Sequence, residues 1–134
     1  HGRCSNERLL SGLGLSYIDA VLARRETLRD PADIVSAALD GHDLASRRAL
    51  ARFCSILGSV VGDAALIHGA RTVAIAGGIV PRFIPFLRAS AFRERFLAKG
   101  RFASYLESVS LHVITHDSPG LIGAAAALQQ HLRR

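Results

Sequence analysis

Two consecutive glycines, Gly77 and Gly78, stand between the short apolar run 72–76 and a helix-like segment that begins at Pro81. Residues without a Cβ let a flat ring or a phosphate approach the backbone closely, and they adopt backbone angles that other residues avoid. The end of a buried strand is also where α/β folds bind nucleotides. The pair is therefore a candidate nucleotide contact. A tight strand-to-helix turn without a ligand is the alternative interpretation.

Other residues that could do chemistry lie at the ends of predicted elements. Glu7 stands near the start of a short helix, where a carboxylate is also favoured by the helix dipole alone. Gly12 and Gly14 are predicted to interrupt the chain between this helix and the next, and such a break makes a useful pocket wall. His112 and His116 are four residues apart but lack carboxylate or thiol company, so no metal site is predicted.

Composition restricts the class of protein. The chain has 134 residues, of which 49% are hydrophobic and 21% charged, as in one soluble globular unit or a piece of one. The sequence shows neither a long uncharged membrane span nor the apolar core of a signal peptide, so we expect a cytoplasmic protein with no membrane partner. Cys4 and Cys54 form no C-x-x-C pair and are expected to be reduced, buried thiols.

The formal charge of +6, with a pI of about 10.6, would permit an anionic ligand. Sixteen of the seventeen cationic residues are arginines, and they are scattered without a dense tract. The aromatic residues are not interleaved with them as they are in RNA-stacking motifs. This pattern argues against a nucleic-acid partner and indicates solvated arginine-rich faces.

The elements that must position these residues are helical first and α/β afterwards. Hydrophobic periodicity and capping residues predict helices over 5–10, 15–24, 32–39, 44–68, 81–87, 91–98 and 119–132, and strands over 72–76 and 110–115. The β-α-β order predicts that the two strands are parallel neighbours, and their apolar composition predicts that each is covered on both faces.

The longest predicted helix, 44–68, is expected to be central to the core. Its predicted core stripe consists of Ala49, Phe53, Ile56, Val60, Ala64 and Ile67. Gly58 and Gly62 are expected to allow close packing of this helix against the sheet. At the end of the chain, Ser118 is predicted to cap the last helix, where Gly120 and Gly123 leave room for a packed neighbour.

Four motifs together resemble the C-terminal part of bacterial-type glucokinase. They are ERLLSGLGL at 7–15, AGGIVPRF at 76–83, KGRF at 99–102 and HDSPGLIG at 116–123. The resemblance covers essentially all 134 residues of this chain and less than half of the family's enzyme. A chain that opens on His1 and contains no methionine is consistent with a fragment.

The resemblance implies an α/β fold, namely the C-terminal portion of the large domain of an actin-like, ribonuclease H-like sugar kinase. This portion should be helix-rich with a short parallel sheet segment. Residues 1–134 would lack the N-terminal lobe and the catalytic base, so the isolated chain is expected to be inactive. The complete enzyme would be a homodimer that transfers the γ-phosphoryl group of ATP, with Mg²⁺, to glucose, yielding glucose 6-phosphate for glycolysis.

The resemblance also assigns site residues. The glutamate of the first motif binds sugar hydroxyls in the family, and that position is Glu7 here. The positions that match the family's nucleotide contacts are Gly12, Gly77, Gly78, Ile79 and Val80. Arg82 either reaches the nucleotide or covers the start of the following helix, and both interpretations stay open. No residue of this chain matches the family's catalytic aspartate or a metal ligand.

Two alternatives remain beside glucose phosphorylation. The first is a kinase for another hexose, such as fructose or mannose, because most sugar contacts lie outside this chain. The second is a non-catalytic regulatory or nucleic-acid-binding domain that keeps a degenerate kinase lobe, as the positive charge would allow. Salt-sensitive DNA binding would support the second alternative.

Overall fold

The structure, a computed structural model, describes residues 2–133. The helices of this part of the chain are α1 (Asn6–Leu9), α2 (Gly12–Ala23), α3 (Pro31–Asp40), α4 (Leu44–Ile67), α5 (Ile84–Ala89), α6 (Phe92–Leu97), α7 (Ala103–Glu107) and α8 (Pro119–Leu132). The strands are β1 (Thr72–Ile75) and β2 (Ser110–Val113), and two short 3-10 turns cover Val80–Phe83 and Gly100–Phe102. The predicted fold, helix-rich with a short parallel sheet segment, is confirmed.

Capping residues explain where the first four helices begin. The side chains of Ser5, Ser11, Asp30 and Asp43 each accept a hydrogen bond from a backbone N–H of the helix that follows. The prediction that α2 starts at Leu15 is wrong, because the helix already begins at Gly12. The glycines therefore lie in the first turn of α2 and do not form a break before it.

The central helix is α4, as predicted, and it packs against α2, α3 and α6. Its predicted core stripe is partly wrong, because Ala64 and Ile67 are exposed and Ile56 and Val60 are half-buried. The face that is buried consists of Ser46, Ala49, Leu50, Phe53, Cys54, Leu57, Gly58, Gly62 and Ala65.

The two glycines of α4 explain this shift of the buried face. A Cβ at Gly58 would collide with the carbonyl oxygen of Phe92, and one at Gly62 would lie 2.6 Å from the carbonyl oxygen of Phe96. Both carbonyls belong to α6, so the predicted packing of these glycines against the sheet is wrong. The absence of side chains at these two positions lets the α6 backbone approach α4 directly, and the buried face is centred there.

By length and composition alone, α4 could cross a membrane, since an 18-residue window has a mean hydropathy of 1.6. In the fold, however, Leu50, Phe53 and Leu57 of this helix are buried in the core cluster. Burial in the core accounts for this face of α4, although only 39% of the apolar window is buried within the described chain.

The sheet consists of β1 and β2, which pair in parallel with Thr72 opposite Ser110 and Ile75 opposite Val113. The parallel pair is confirmed, although both strands are shorter than predicted. Within residues 2–133 the expected cover on both faces is not present, because residues along each strand alternate between exposed and half-buried. Within residues 2–133, helices α5, α6 and α7 form the connection between the two strands.

The end of the chain differs from expectation. In α8 no residue is buried, and Leu121 is 72% exposed. Ser118 precedes the helix, but its side chain makes no capping bond; its backbone N–H instead donates to Nδ1 of His116 at 3.0 Å.

Both cysteines are free thiols, as predicted, but Cys4 is exposed and only Cys54 is buried.

Candidate functional site

The N-terminus of α2, the N-terminus of α3 and the turn after β1 meet around one depression, here called the glycine pocket. Its volume is about 440 Å³. It is lined by Gly12, Asp30, Pro31, Ala32, Val35, Gly78, Ile79 and Arg82. Four of the residues that the sequence singled out for nucleotide binding are thus brought together from two distant motifs.

The turn that carries Gly78 is anchored by apolar residues that pack into the core. Val80 and Phe83 follow the glycines in a 3-10 turn and are buried at 4% and 0% exposure. The Phe83 ring packs edge-on against Phe53 of α4, with centroids 6.2 Å apart. This anchoring fixes the turn on the central helix. The backbone of Gly78 is open, because no atom of the described chain lies within 4 Å of the position of a Cβ there.

The two glycines of this turn differ in their roles. Gly77 has a φ of 131°, which a residue with a side chain adopts only with strain, so it is needed for the turn itself. Gly78 has no such backbone constraint and no neighbouring atom, so the fold alone does not require a glycine there. The backbone of Gly78 is therefore open to contact from outside the described chain.

The opposite wall forms where α2 and α3 begin. Ser11 caps α2 through a 3.1 Å hydrogen bond that its Oγ accepts from the N–H of Gly14. A Cβ on Gly12 would lie 3.2 Å from Cγ of Pro31, so the glycine lets the first residue of α3 come close. Asp30 caps α3 by accepting from the N–H of Ala32 at 2.7 Å.

The pocket residues from α3 were not identified from the sequence. Asp30 and Pro31 are recognisable as a helix start, but nothing in the sequence reveals that this start lies beside Gly12. Val35 supplies an apolar floor, since it is 4% exposed and belongs to the core. The pocket thus combines an apolar floor and exposed glycine backbone with one acidic and one basic side chain, Asp30 and Arg82, and such a slot suits a flat heteroaromatic ring with polar substituents.

The remaining predicted site residues lie elsewhere. Glu7 is exposed on α1 and lines a separate depression of about 670 Å³, together with residues such as Ser11 and Tyr17. Gly77 and Val80 flank the lining of the glycine pocket without belonging to it, and the Val80 side chain points into the core. The structure therefore groups Gly12 with Gly78, Ile79 and Arg82, but it separates this group from Glu7.

A polar network supports the loop between α2 and α3. Nη1 of Arg29 donates to Oδ2 of Asp43 at 3.1 Å and to Oγ of Ser46 at 2.9 Å. Ser46 in turn donates to Asp43 at 2.7 Å, and these hydrogen bonds, with Ser46 the largest cause, lower the pKa of Asp43 from its ordinary 3.8 to about 2. This network ties the loop to the start of α4.

Asp19 of α2 is the most deeply buried charged side chain of the described chain. It is 0% exposed, and neither carboxylate oxygen has a hydrogen-bond partner among residues 2–133. Its Oδ2 lies 3.4 Å from Nε of Arg25 and 3.9 Å from Nη1 of Arg29. These two guanidinium groups offset a charge that would otherwise be costly to bury.

Comparisons with known proteins match this chain over nearly its whole length. The family model described as Glucokinase matches residues 1–131. The glucokinase of Cupriavidus metallidurans is 50% identical over 98% of this chain, and a glucokinase of Neisseria meningitidis is 42% identical over 99% of it. A crystal structure of a glucokinase from an Antarctic psychrotroph superimposes with a TM-score of 0.87 at 36% identity and covers 97% of this chain. The chain spans only 41% and 42% of the length of these two relatives and 42% of the crystallised chain. The chain belongs to the glucokinase family.

Proposed function

We propose that residues 1–134 are the C-terminal part of the large domain of an enzyme that transfers the γ-phosphoryl group of ATP to the 6-hydroxyl of glucose. In this proposal the chain supplies the adenosine pocket and one sugar-binding carboxylate. The observation that carries the proposal is the glycine pocket, where Gly12 of one motif meets Gly78, Ile79 and Arg82 of another. Family membership supports the same activity.

In the proposed complex, adenine lies against the backbone of Gly78 and the side chain of Ile79, over the apolar floor. Arg82 stands at the rim with an exposed guanidinium and makes no ion pair with another described residue, so it is available to a phosphate oxygen. Gly77 and Val80 shape and anchor the turn, and any contact they make with the nucleotide would be through the backbone.

Glu7 is proposed to bind the sugar. A carboxylate accepts hydrogen bonds from two adjacent hydroxyl groups, and a sugar that lacks one of them would leave it unpaired. Glu7 lies on α1, directly before the start of α2 that contributes Gly12 to the nucleotide pocket. Sugar and nucleotide would therefore occupy neighbouring depressions on two consecutive helices.

The remaining parts of the reaction are assigned outside this chain. Residues 2–133 contain no group of three or more His, Cys, Asp or Glu side chains that could hold a metal ion. Because Mg²⁺ in kinases is usually held by one or two carboxylates together with substrate phosphates, we assign the metal to the nucleotide phosphates and to carboxylates in the rest of the enzyme. The general base would come from the N-terminal lobe, so the isolated chain would be inactive. We further propose a cytoplasmic homodimer without a nucleic-acid or membrane partner.

The test of this function uses the full-length protein and a panel of hexoses with ATP. Glucose should be strongly preferred, and Glu7→Gln should lower kcat/KM for glucose about 10- to 100-fold, because hydrogen bonds to a charged group contribute about 1.5–3 kcal/mol. Glu107→Gln, which changes an exposed glutamate on α7, is the matched control and should leave kcat/KM unchanged.

Other outcomes would contradict the proposal in different ways. A preference for fructose or mannose would make the enzyme a kinase for that hexose. Failure of the folded full-length protein to phosphorylate any hexose would point to a lobe kept for regulation or for binding nucleic acid.

A further inference from the structure

One buried hydroxyl joins the two helix starts that together form the wall of the glycine pocket opposite Gly78. Ser16 lies one turn after Gly12 on α2 and is 2% exposed. Its Oγ donates to the backbone oxygen of Arg29 at 2.7 Å, and the same Oγ lies 3.4 Å from the backbone oxygen of Gly12. Arg29 directly precedes Asp30 and Pro31, which contribute to the same wall as Gly12. The hydroxyl thus ties the start of α3 to the start of α2.

The side chain of Arg29 holds the same segment from a second direction. Its Nη1 donates to Asp43 and Ser46 at the start of α4, and it lies 3.9 Å from the buried carboxylate of Asp19. The chain just before it, residues 24–28, forms no helix. The position of the α3 wall therefore depends on the two tethers of Arg29, one through its carbonyl oxygen and one through its guanidinium.

We infer that Ser16 and Arg29 are positioning residues, which fix the width of the slot into which the adenosine of the nucleotide fits. This inference rests on the proposed function, and neither residue lines the pocket itself. The two helix starts are already in contact, since Pro31 lies 3.2 Å from the position of a Cβ on Gly12, so a shift of the start of α3 would change the distance between this wall and Gly78 across the pocket. A ligand slot must hold its walls to within about 0.5 Å to keep its affinity, so a loosened wall would weaken nucleotide binding before it weakens the fold.

The test measures ADP binding to the full-length protein by calorimetry without sugar, followed by kinetics. Ser16→Ala should weaken ADP binding about 5-fold, which corresponds to about 1 kcal/mol, the net contribution of one hydrogen bond. It should raise KM for ATP by a similar factor and leave kcat and KM for glucose unchanged. Ser55→Ala is the matched control, because Ser55 also donates to a backbone oxygen, that of Ala51 at 3.0 Å, but lies away from the pocket.

Variants of Arg29 test the second tether. Arg29→Met, which removes the guanidinium and keeps the backbone carbonyl, should weaken ADP binding in the same direction. Arg29→Lys retains a cation beside Asp43 and should recover most of the affinity. The melting temperature of both variants is measured in parallel, and ADP affinities that simply follow the melting temperatures would indicate a purely structural role.

Two results would overturn the inference while leaving the proposed function intact. One is an unchanged ADP affinity in Ser16→Ala. The other is a change in kcat and in both KM values that parallels the fall in melting temperature, which would indicate a purely structural role. Failure of the wild-type protein to bind ADP would instead refute the proposed function, and the inference with it.

Discussion

Gly14 allows α1, which carries Glu7, to lie against the start of α2. It is buried, and a Cβ built on it would lie 2.5 Å from the backbone oxygens of Arg8 and Leu9. Both atoms belong to the backbone of the last turn of α1, so no side-chain rotation can relieve the collision. Gly14→Ala should therefore push α1 away from α2.

The size of the effect follows from this geometry. The collision is about 0.9 Å short of the 3.4 Å at which ordinary contact begins, and overpacking of this kind costs about 1–3 kcal/mol. Because only backbone can move, we take the upper value of about 3 kcal/mol. Alanine recovers up to about 1 kcal/mol of helix propensity, which leaves a net loss of about 2 kcal/mol. For a full-length protein as long as the relatives, more than twice the length of this chain, the melting temperature should fall by about 2–4 °C.

The assay is thermal unfolding of the full-length protein, followed by circular dichroism, together with KM for glucose. Gly123→Ala is the control, because no atom of the described chain lies within 4 Å of a Cβ at that position in α8. The Gly14 variant should melt at a lower temperature and show a raised KM for glucose, since Glu7 moves with α1. If the two variants melted together at the wild-type temperature, the close approach of α1 and α2 would be refuted.

Two further predictions concern titratable groups. The pKa of Asp43 is lowered to about 2, so its contribution to stability is fully present above pH 3.8 and is lost as the pH falls towards 2. The urea midpoints of the wild-type protein and of Asp43→Asn should therefore converge over that pH range. A constant difference between the two midpoints would contradict the lowered pKa. Burial raises the pKa of the Cys54 thiol to about 11, whereas Cys4 is exposed. Iodoacetamide at neutral pH should therefore label Cys4 in the native protein and reach Cys54 only after unfolding, as peptide mass spectrometry would show; equal labelling of both would contradict the burial.

Local signals in the sequence predicted much of the fold. The capping side chain of Asp43 marks the start of α4, because a cap depends only on residues two or three positions away. The parallel pairing of β1 and β2 follows from the order of the elements. The glycine-rich turn after β1 was identified for the same reason, since Gly77 satisfies a local backbone requirement.

Features set by tertiary contacts were predicted less well. The buried face of α4 follows Gly58 and Gly62, whose neighbours on α6 are more than thirty residues away, and hydrophobic periodicity gives no weight to glycine. The α3 side of the glycine pocket was missed for a similar reason, because only the folded chain brings Pro31 next to Gly12. The burial of Asp19 was also not predicted, because the two arginines that offset its charge come close to it only in the folded chain.

Within residues 2–133, apolar residues of α8 and one face of the sheet are exposed, so they are not part of the hydrophobic core of this chain. Leu121, Leu128 and Leu132 are 72%, 59% and 76% exposed, although their types are typical of buried positions. The apolar composition of β1 and β2 led to the prediction of a sheet covered on both faces, and within residues 2–133 that cover is incomplete. The side-chain types alone predict that these surfaces are buried, but they do not identify what would cover them.

The most direct test of the central claim is the KM for ATP of the Gly78→Ala variant of the full-length protein. An added methyl group meets no atom of the described chain and no forbidden backbone angle, so the melting temperature and KM for glucose should not change. If adenine lies against this backbone, the methyl group should raise KM for ATP about 5- to 150-fold, because overpacking a tight contact costs about 1–3 kcal/mol. An unchanged KM for ATP would show that the glycine pocket is not the nucleotide site.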